Sequence, residues 1–176
     1  PKDRYCYGPG LDLLLKAVST DYLGDTFRLV MIKAAERKLL SFGCSRDILS
    51  LTTLDLSSVL DFLQDPIDGG TIAHFCREPE DREVGLIVAN AVLDRASRLV
   101  CAMLSAMAQF GSVGRDPVAP ACLGGWGVAL ETPLLRRRLE NLLTSFTGDV
   151  LGHHVTLFTG PDMLAIGAAA AALYNH

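Results

Sequence analysis

The sequence predicts an α/β chain, rich in helix and carrying a short sheet, and three observations support this. Val84, Ile87, Val88, Ala91, Val92, Leu99, Met103, Ala106 and Phe110 recur at three- and four-residue steps, the mark of one apolar stripe on a helix from Glu83 to Phe110. After Phe110 the pattern changes to short apolar runs of strand length bounded by Gly and Pro. The 176 residues suit one domain with a real core, 1–176, and neither a repeat nor a low-complexity linker divides them.

The elements follow in order. Gly8-Pro9-Gly10 marks an irregular lead-in, and a short apolar segment runs from Leu11 to Val18. Ser19, Thr20 and Asp21 offer an N-cap for a helix from about Tyr22 to Leu40, with Leu23, Phe27, Val30, Met31 and Ala34 on its stripe and Gly43 ending it. Ser45 is expected to cap a short helix to Leu49, Thr53 to Leu63 forms another that Pro66 stops, and Thr71 to Cys76 is a weaker helical piece after the Asp68-Gly69-Gly70 turn.

Pro79 opens the long helix, with acidic Glu80, Asp81 and Glu83 at the positive end of its dipole. At 1.5 Å per residue it is about 40 Å long, enough to cross a domain. Arg95 interrupts the stripe and is expected to be buried against a carboxylate, because an unpaired buried charge is costly; a ligand contact is the minority reading.

Beyond the loop Gly111 to Pro117, Val118 to Leu123 is a strand, and Gly124-Gly125-Trp126-Gly127 before Val128 to Leu130 predicts a tight hairpin. Pro133 starts a helix to about Phe146, Val155 to Phe158 is a buried strand, and Gly160-Pro161-Asp162 opens a final helix, Met163 to Tyr174. That helix is apolar on every side and so is expected to be buried against the sheet.

Composition excludes several functions. A net charge of -4 with scattered Lys and Arg offers nothing to nucleic acid, and no apolar run approaches the roughly 20 residues that span a bilayer. Arg136 to Arg138, among leucines, read as the solvated face of an amphipathic helix, with a phosphate site as the minority reading. Five cysteines, odd in number and without C-x-x-C spacing, suggest neither a disulfide framework nor zinc and fit a reducing, cytoplasmic setting. His153 and His154 are adjacent, so on extended chain they point to opposite faces and suit a loop or strand edge better than one metal. Elbow, zincin and P-loop motifs are missing. The first ten residues lack a signal-peptide plan, and opening on Pro1 suggests a piece trimmed from something longer.

Several segments together resemble the hexokinase family of sugar kinases. Gly8-Pro9-Gly10 is similar to its N-P-G turn, Tyr22-Leu23-Gly24-Asp25 with Arg28-Leu29 to its Y-[LM]-G-[ED]-x-x-R-L helix start, and Thr53, Ser57 and Val59 to its T-x-x-x-S-x-[VI]. Val92, Arg95 and Ala96 match V-x-x-R-A, and Gly167-Ala168-Ala169 the start of its last helix.

The resemblance implies the C-terminal large-domain portion of an actin-like ATPase (ribonuclease H-like) fold. It also implies a reaction that moves the terminal phosphoryl of Mg-ATP to the 6-hydroxyl of a hexose such as glucose. The family's catalytic Asp region lies upstream of Pro1, so an N-terminal kinase segment or another protein partner is expected, and exposed apolar surface would favour that partner or a homodimer.

By the resemblance, the nucleotide side falls on Thr53, Gly124, Gly125, Trp126, Gly127, Met163 and Leu164, and the sugar side on Gly8 and Leu15. Several of these depart from the family. Leu15 stands for a sugar-binding Glu and cannot accept a hydrogen bond, and Gly8 stands for Asn. Gly125-Trp126-Gly127 replaces D-G-S, and Met163-Leu164-Ala165 replaces G-S-G. Trp126 either stacks on a ligand ring or plugs a closed cleft, the plug being preferred because large aromatics mainly bury area. Asp162 after Pro161 supplies the anion that a phosphate would otherwise supply at a helix start.

Three functions are therefore expected. The first is a catalytically incomplete relative, or pseudoenzyme, with a regulatory or assembly role. The second is the C-terminal half of an active ATP-dependent hexose kinase, and the third is an old kinase cleft reused for other chemistry.

Overall fold

The computed structural model describes residues 12–125, 127–160 and 162–174. The chain divides into two compact units, Pro1–Ala96 and Ser97–His176.

The first unit is helical: α1 (Leu13–Val18), α2 (Thr20–Glu36), α3 (Phe42–Ser50), α4 (Leu56–Gln64), α5 (Gly70–Phe75) and the first part of α6 (Pro79–Phe110). Short polar side chains begin three of these helices. Ser19 accepts from the Asp21 amide, Ser41 from that of Cys44 and Asp55 from that of Ser58, each satisfying a donor that a helix start leaves open.

These caps correct three expected boundaries. Helix α2 stops at Glu36 rather than Leu40, because Lys38 takes a left-handed φ of 58° and the Leu39 amide turns back to the Ala34 carbonyl. Gly43 does not end a helix. It lies inside α3, whose cap is Ser41 and not Ser45. Thr53 stands outside α4, which starts only after Asp55.

Leu23, Phe27 and Met31 of α2 pack the core with Ile48, Val59, Phe62, Ile72 and Leu93, all essentially buried. Each such side chain removed from water is worth roughly 1.5–3 kcal/mol. The inner face of α6 is rotated from the expected stripe: Val88, Ala89, Val92, Leu93 and Ala96 are buried, whereas Ile87, Ala91 and Phe110 are exposed. At Gly85 the inner position holds no side chain, because the Phe62 ring of α4 comes close. A β-carbon on Gly85 would stand 3.0 Å from the Phe62 ring. Arg95 is exposed and pairs with no carboxylate among the described residues, which corrects its expected burial. Leu13, Leu14 and Leu15 of α1 are exposed as well, while Lys16 is buried.

The second unit holds the rest of α6, then β1 (Ala121–Gly125), α7 (Val128–Glu131), α8 (Pro133–Leu142), a π-helical continuation over Leu143–Val150, β2 (Val155–Thr159) and α9 (Met163–Tyr174). The expected hairpin does not form. β1 pairs with β2 in parallel, in register from Ala121 opposite Val155 to Gly125 opposite Thr159. Residues 128–130 are helix because Gly127, at φ 117°, turns its carbonyl to accept from the amides of Leu130 and Glu131. A parallel pair needs a long crossover, and α7, α8 and the π-helical stretch supply it.

Cys101, Leu139, Leu143 and Leu157 form the core of this unit. Of β2 only Leu157 is buried, and Phe158 is half exposed, so the strand is less covered than expected. Helix α9 corrects the largest expectation. From Leu164 to Leu173 it is exposed throughout, since the two-stranded sheet offers a surface only to its first residue, Met163. No described helix is long and apolar enough to cross a membrane.

Candidate functional site

In the first unit the residues around Thr53 form a held loop between α3 and α4. Gly24 of α2 lies so close to the Leu54 and Asp55 backbone that any β-carbon would overlap it. Asp25, one residue on, accepts the Leu54 amide at 3.0 Å and the Arg28 Nε at 3.1 Å. Arg28 in turn donates from Nη1 to the Leu51 carbonyl at 3.1 Å. Asp55 caps α4 from the far side of the loop, and donation from the Ser58 hydroxyl and then its amide holds the Asp55 carboxyl below the usual carboxylate range. The Thr53 side chain projects to solvent from this clamp. The Gly-Asp-x-x-Arg spacing in the sequence thus has a physical purpose, since it ties one helix to the backbone on both sides of one threonine.

Leu15, the position matched to a sugar-binding acid, is an exposed apolar side chain on α1. It presents no acceptor to a hydroxyl. Gly8 lies outside the described residues, as does Trp126.

The second unit gathers the remaining positions at one end of the parallel pair. Both strands finish together, at Gly125 and Thr159, so the turns that follow them share the carboxyl edge, where open parallel sheets bind ligands. A β-carbon at Gly124 would lie 3.4 Å from Met163 Sδ, and one at Gly160 would lie 3.5 Å from Met163 Cε. The methionine therefore lies beside both glycines, one in β1 and one just after β2. Leu130 crowds Gly125 so closely that a β-carbon there would overlap its Cδ1. Gly127 follows in its left-handed turn, and Leu164 points its apolar side chain to solvent. Within this unit the structure thus brings together Gly124, Gly125, Gly127 and Met163. Thr53 belongs to the first unit.

Arg136 is a neighbour that sequence reasoning missed. It is half-buried, donates from Nη1 to Thr159 Oγ1 at 2.8 Å and pairs through Nε with Glu140 at 2.7 Å. The expected solvated face accounts for Arg137 but not for Arg136, which the Arg-x-x-x-Glu spacing could have singled out as a fixed side chain.

His153 and His154 stand just before β2. His153 is buried, and its Nδ1 lies 2.6 Å from the Val113 carbonyl; that oxygen can only accept, so Nδ1 carries the proton. The His154 amide bonds the Gly114 carbonyl at 2.6 Å, and these contacts pin the loop before β1 to the start of β2. Among the described residues no group of three His, Cys, Asp or Glu is placed to hold a metal ion.

Among the described residues at the carboxyl edge, Met163 stands at contact distance beside Gly124 and Gly160, and Leu130 fills the space beside Gly125. Compared with curated proteins, the chain finds no significant match. The model of the hexokinase family, in contrast, matches residues 3–174. With the match running over almost the whole sequence and through the Gly24-Asp25-Arg28 clamp, the chain belongs to the hexokinase family.

Proposed function

We propose that this chain is a non-catalytic member of the hexokinase family that acts in regulation or assembly, its nucleotide-side turns closed by Met163. Family membership implies the actin-like ATPase fold, with which a helix-rich chain and a short parallel sheet are consistent. The observation that carries the reading is the Met163 side chain lying against both Gly124 and Gly160. Leu15 supports it on the sugar side, where an apolar residue replaces a hydrogen-bonding one. The exposed leucines of α1 and the bare α9 supply apolar surface for an assembly partner, whether a protein, an N-terminal kinase segment or a second copy.

The test is a thermal-shift titration with glucose, Mg-ATP and ADP to millimolar concentration, joined to a coupled assay for hexose phosphorylation. Any ligand that binds the native state raises its stability by mass action. The expected result is no shift with any of the three and no turnover. A shift with nucleotide together with phosphorylation of glucose would overturn it.

A second reading rests on the Thr53 clamp, which keeps a nucleotide-side residue of the family on a fixed loop. On that reading the chain is the C-terminal half of an active cytoplasmic hexose kinase and Thr53 lines its nucleotide cleft. A nucleotide shift that Met163→Gly enlarges and Thr53→Val removes would favour this reading.

A further inference from the structure

We infer that Cys44 and Cys76 form an oxidation-sensitive pair, a modification site at which a peroxide closes a disulfide between α3 and the end of α5. The two residues are 32 positions apart, yet their sulfurs stand 3.8 Å from each other in the first unit, and both are buried. A disulfide at about 2.05 Å asks the sulfurs to approach by less than 2 Å, which is on the scale of a side-chain rotation.

The approach is held from several sides. Ser41, the cap of α3, donates its amide to Asp81 at 2.7 Å and its hydroxyl to the same carboxylate at 2.6 Å, which ties the start of α3 to the start of α6. The other sulfur packs beside Gly85 of α6, where a β-carbon would stand at ordinary contact distance, 3.5 Å, from Cys76 Sγ.

At rest the pair is protected. The hydrogen bond shared with Cys76, then burial, push the Cys44 thiol above its ordinary range and keep it protonated. Reaction therefore waits on local opening, and α5 is suited to it: six residues entered through Gly69 and Gly70, with exposed Thr71, His74 and Arg77 around Cys76. Once exposed, one thiolate attacks a peroxide oxygen, the O–O bond breaks and hydroxide leaves, giving a sulfenic acid. The second sulfur then attacks that sulfur; the S–S bond forms, the S–O bond breaks, and water leaves with the second thiol's proton. Two thiols lose two hydrogens and two electrons, and the peroxide becomes two waters.

The test treats the full-length chain with hydrogen peroxide under native conditions, blocks free thiols and maps tryptic peptides. Cys122, exposed and in the other unit, reports that the oxidant has acted. The expected product joins peptide Leu39–Arg46 to peptide Asp47–Arg77 and separates on reduction with dithiothreitol. Both Cys44→Ser and Cys76→Ser remove the product while Cys122 still reacts, and Cys44→Ala and Cys76→Ala repeat the result with a smaller change in polarity. The oxidised wild type melts at higher temperature than the reduced protein, because the cross-link restricts the unfolded chain. Oxidation of Cys122 without the joined peptide would overturn the inference, as would sulfinic acid at Cys44 or Cys76 in its place. So would a joined peptide that forms only in guanidinium-unfolded chain.

Discussion

The two units solve the same packing problem with unequal means. In the first, large side chains such as Phe27, Phe62 and Ile48 are fully enclosed, and polar side chains bind backbone across helices. In the second, a two-stranded parallel sheet packs with the cluster of Cys101, Leu139, Leu143 and Leu157, and the apolar helix α9 stays exposed from Leu164 to Leu173. Parallel sheets are usually covered on both faces, so among the described residues the second unit leaves the larger share of its apolar surface open. The segments that carry the resemblance divide the same way: Gly24, Asp25 and Arg28 lie in the first unit, and Gly124 and Met163 in the second.

The largest expected effect separates the two cores. Phe62→Ala should lower the stability of the first unit by about 3–5 kcal/mol, because a ring enclosed on all sides leaves a cavity, whereas Leu157→Ala, beside a half-open strand, should fall near 2 kcal/mol. Denaturant unfolding read unit by unit through amide hydrogen exchange would measure both, and equal losses would erase the contrast.

A smaller effect tests the clamp. Asp25→Ala leaves the Leu54 amide and the Arg28 Nε without their acceptor and should cost about 1–3 kcal/mol, with faster exchange of the amides from Leu51 to Leu54 and none of the change reaching β2. Unchanged exchange in that loop would mean that the clamp holds nothing.

The smallest effect concerns Asp55. Removing the cap with Asp55→Ala should cost about 1 kcal/mol at neutral pH. The folded carboxyl sits below the unfolded value of 3.8, so its contribution is fully present above that value and is lost as pH falls through the lower, folded one. The gap between wild type and variant should therefore close in acid, and a gap that persists there would assign the loss to something other than the carboxylate.

Much of this fold was legible in the sequence for local reasons. The period of α6, Pro133 at the start of α8 and Ser19 before α2 are written in residues a few positions apart. Other features depend on what comes near from elsewhere. Glycines after β1 look the same before a hairpin and before a helix, and only β2, arriving in parallel, decides between them. Gly43 sits inside a helix because Ser41 is tied to Asp81, forty residues on. The burial of α9 could not be read from its composition, which tells what the helix would accept as a neighbour and not whether one is present. At the carboxyl edge the spacing of Arg136 and Glu140 was legible, but the bond from Arg136 to Thr159 was not, because Thr159 lies on another element.

The π-helical stretch over Leu143–Val150 has a consequence for how this lineage can vary. Its wider turns bond each amide five residues back, as the Leu151 amide does to the Phe146 carbonyl, and so hold about one residue more per turn than an α-helix of the same span. Within the stretch Thr147 faces inward, and its hydroxyl meets Ser105 at 2.6 Å beside Cys101. A one-residue deletion in the stretch could be absorbed as ordinary α-helix, leaving both ends anchored, and the residue forfeited would be that buried hydroxyl contact rather than the crossover itself.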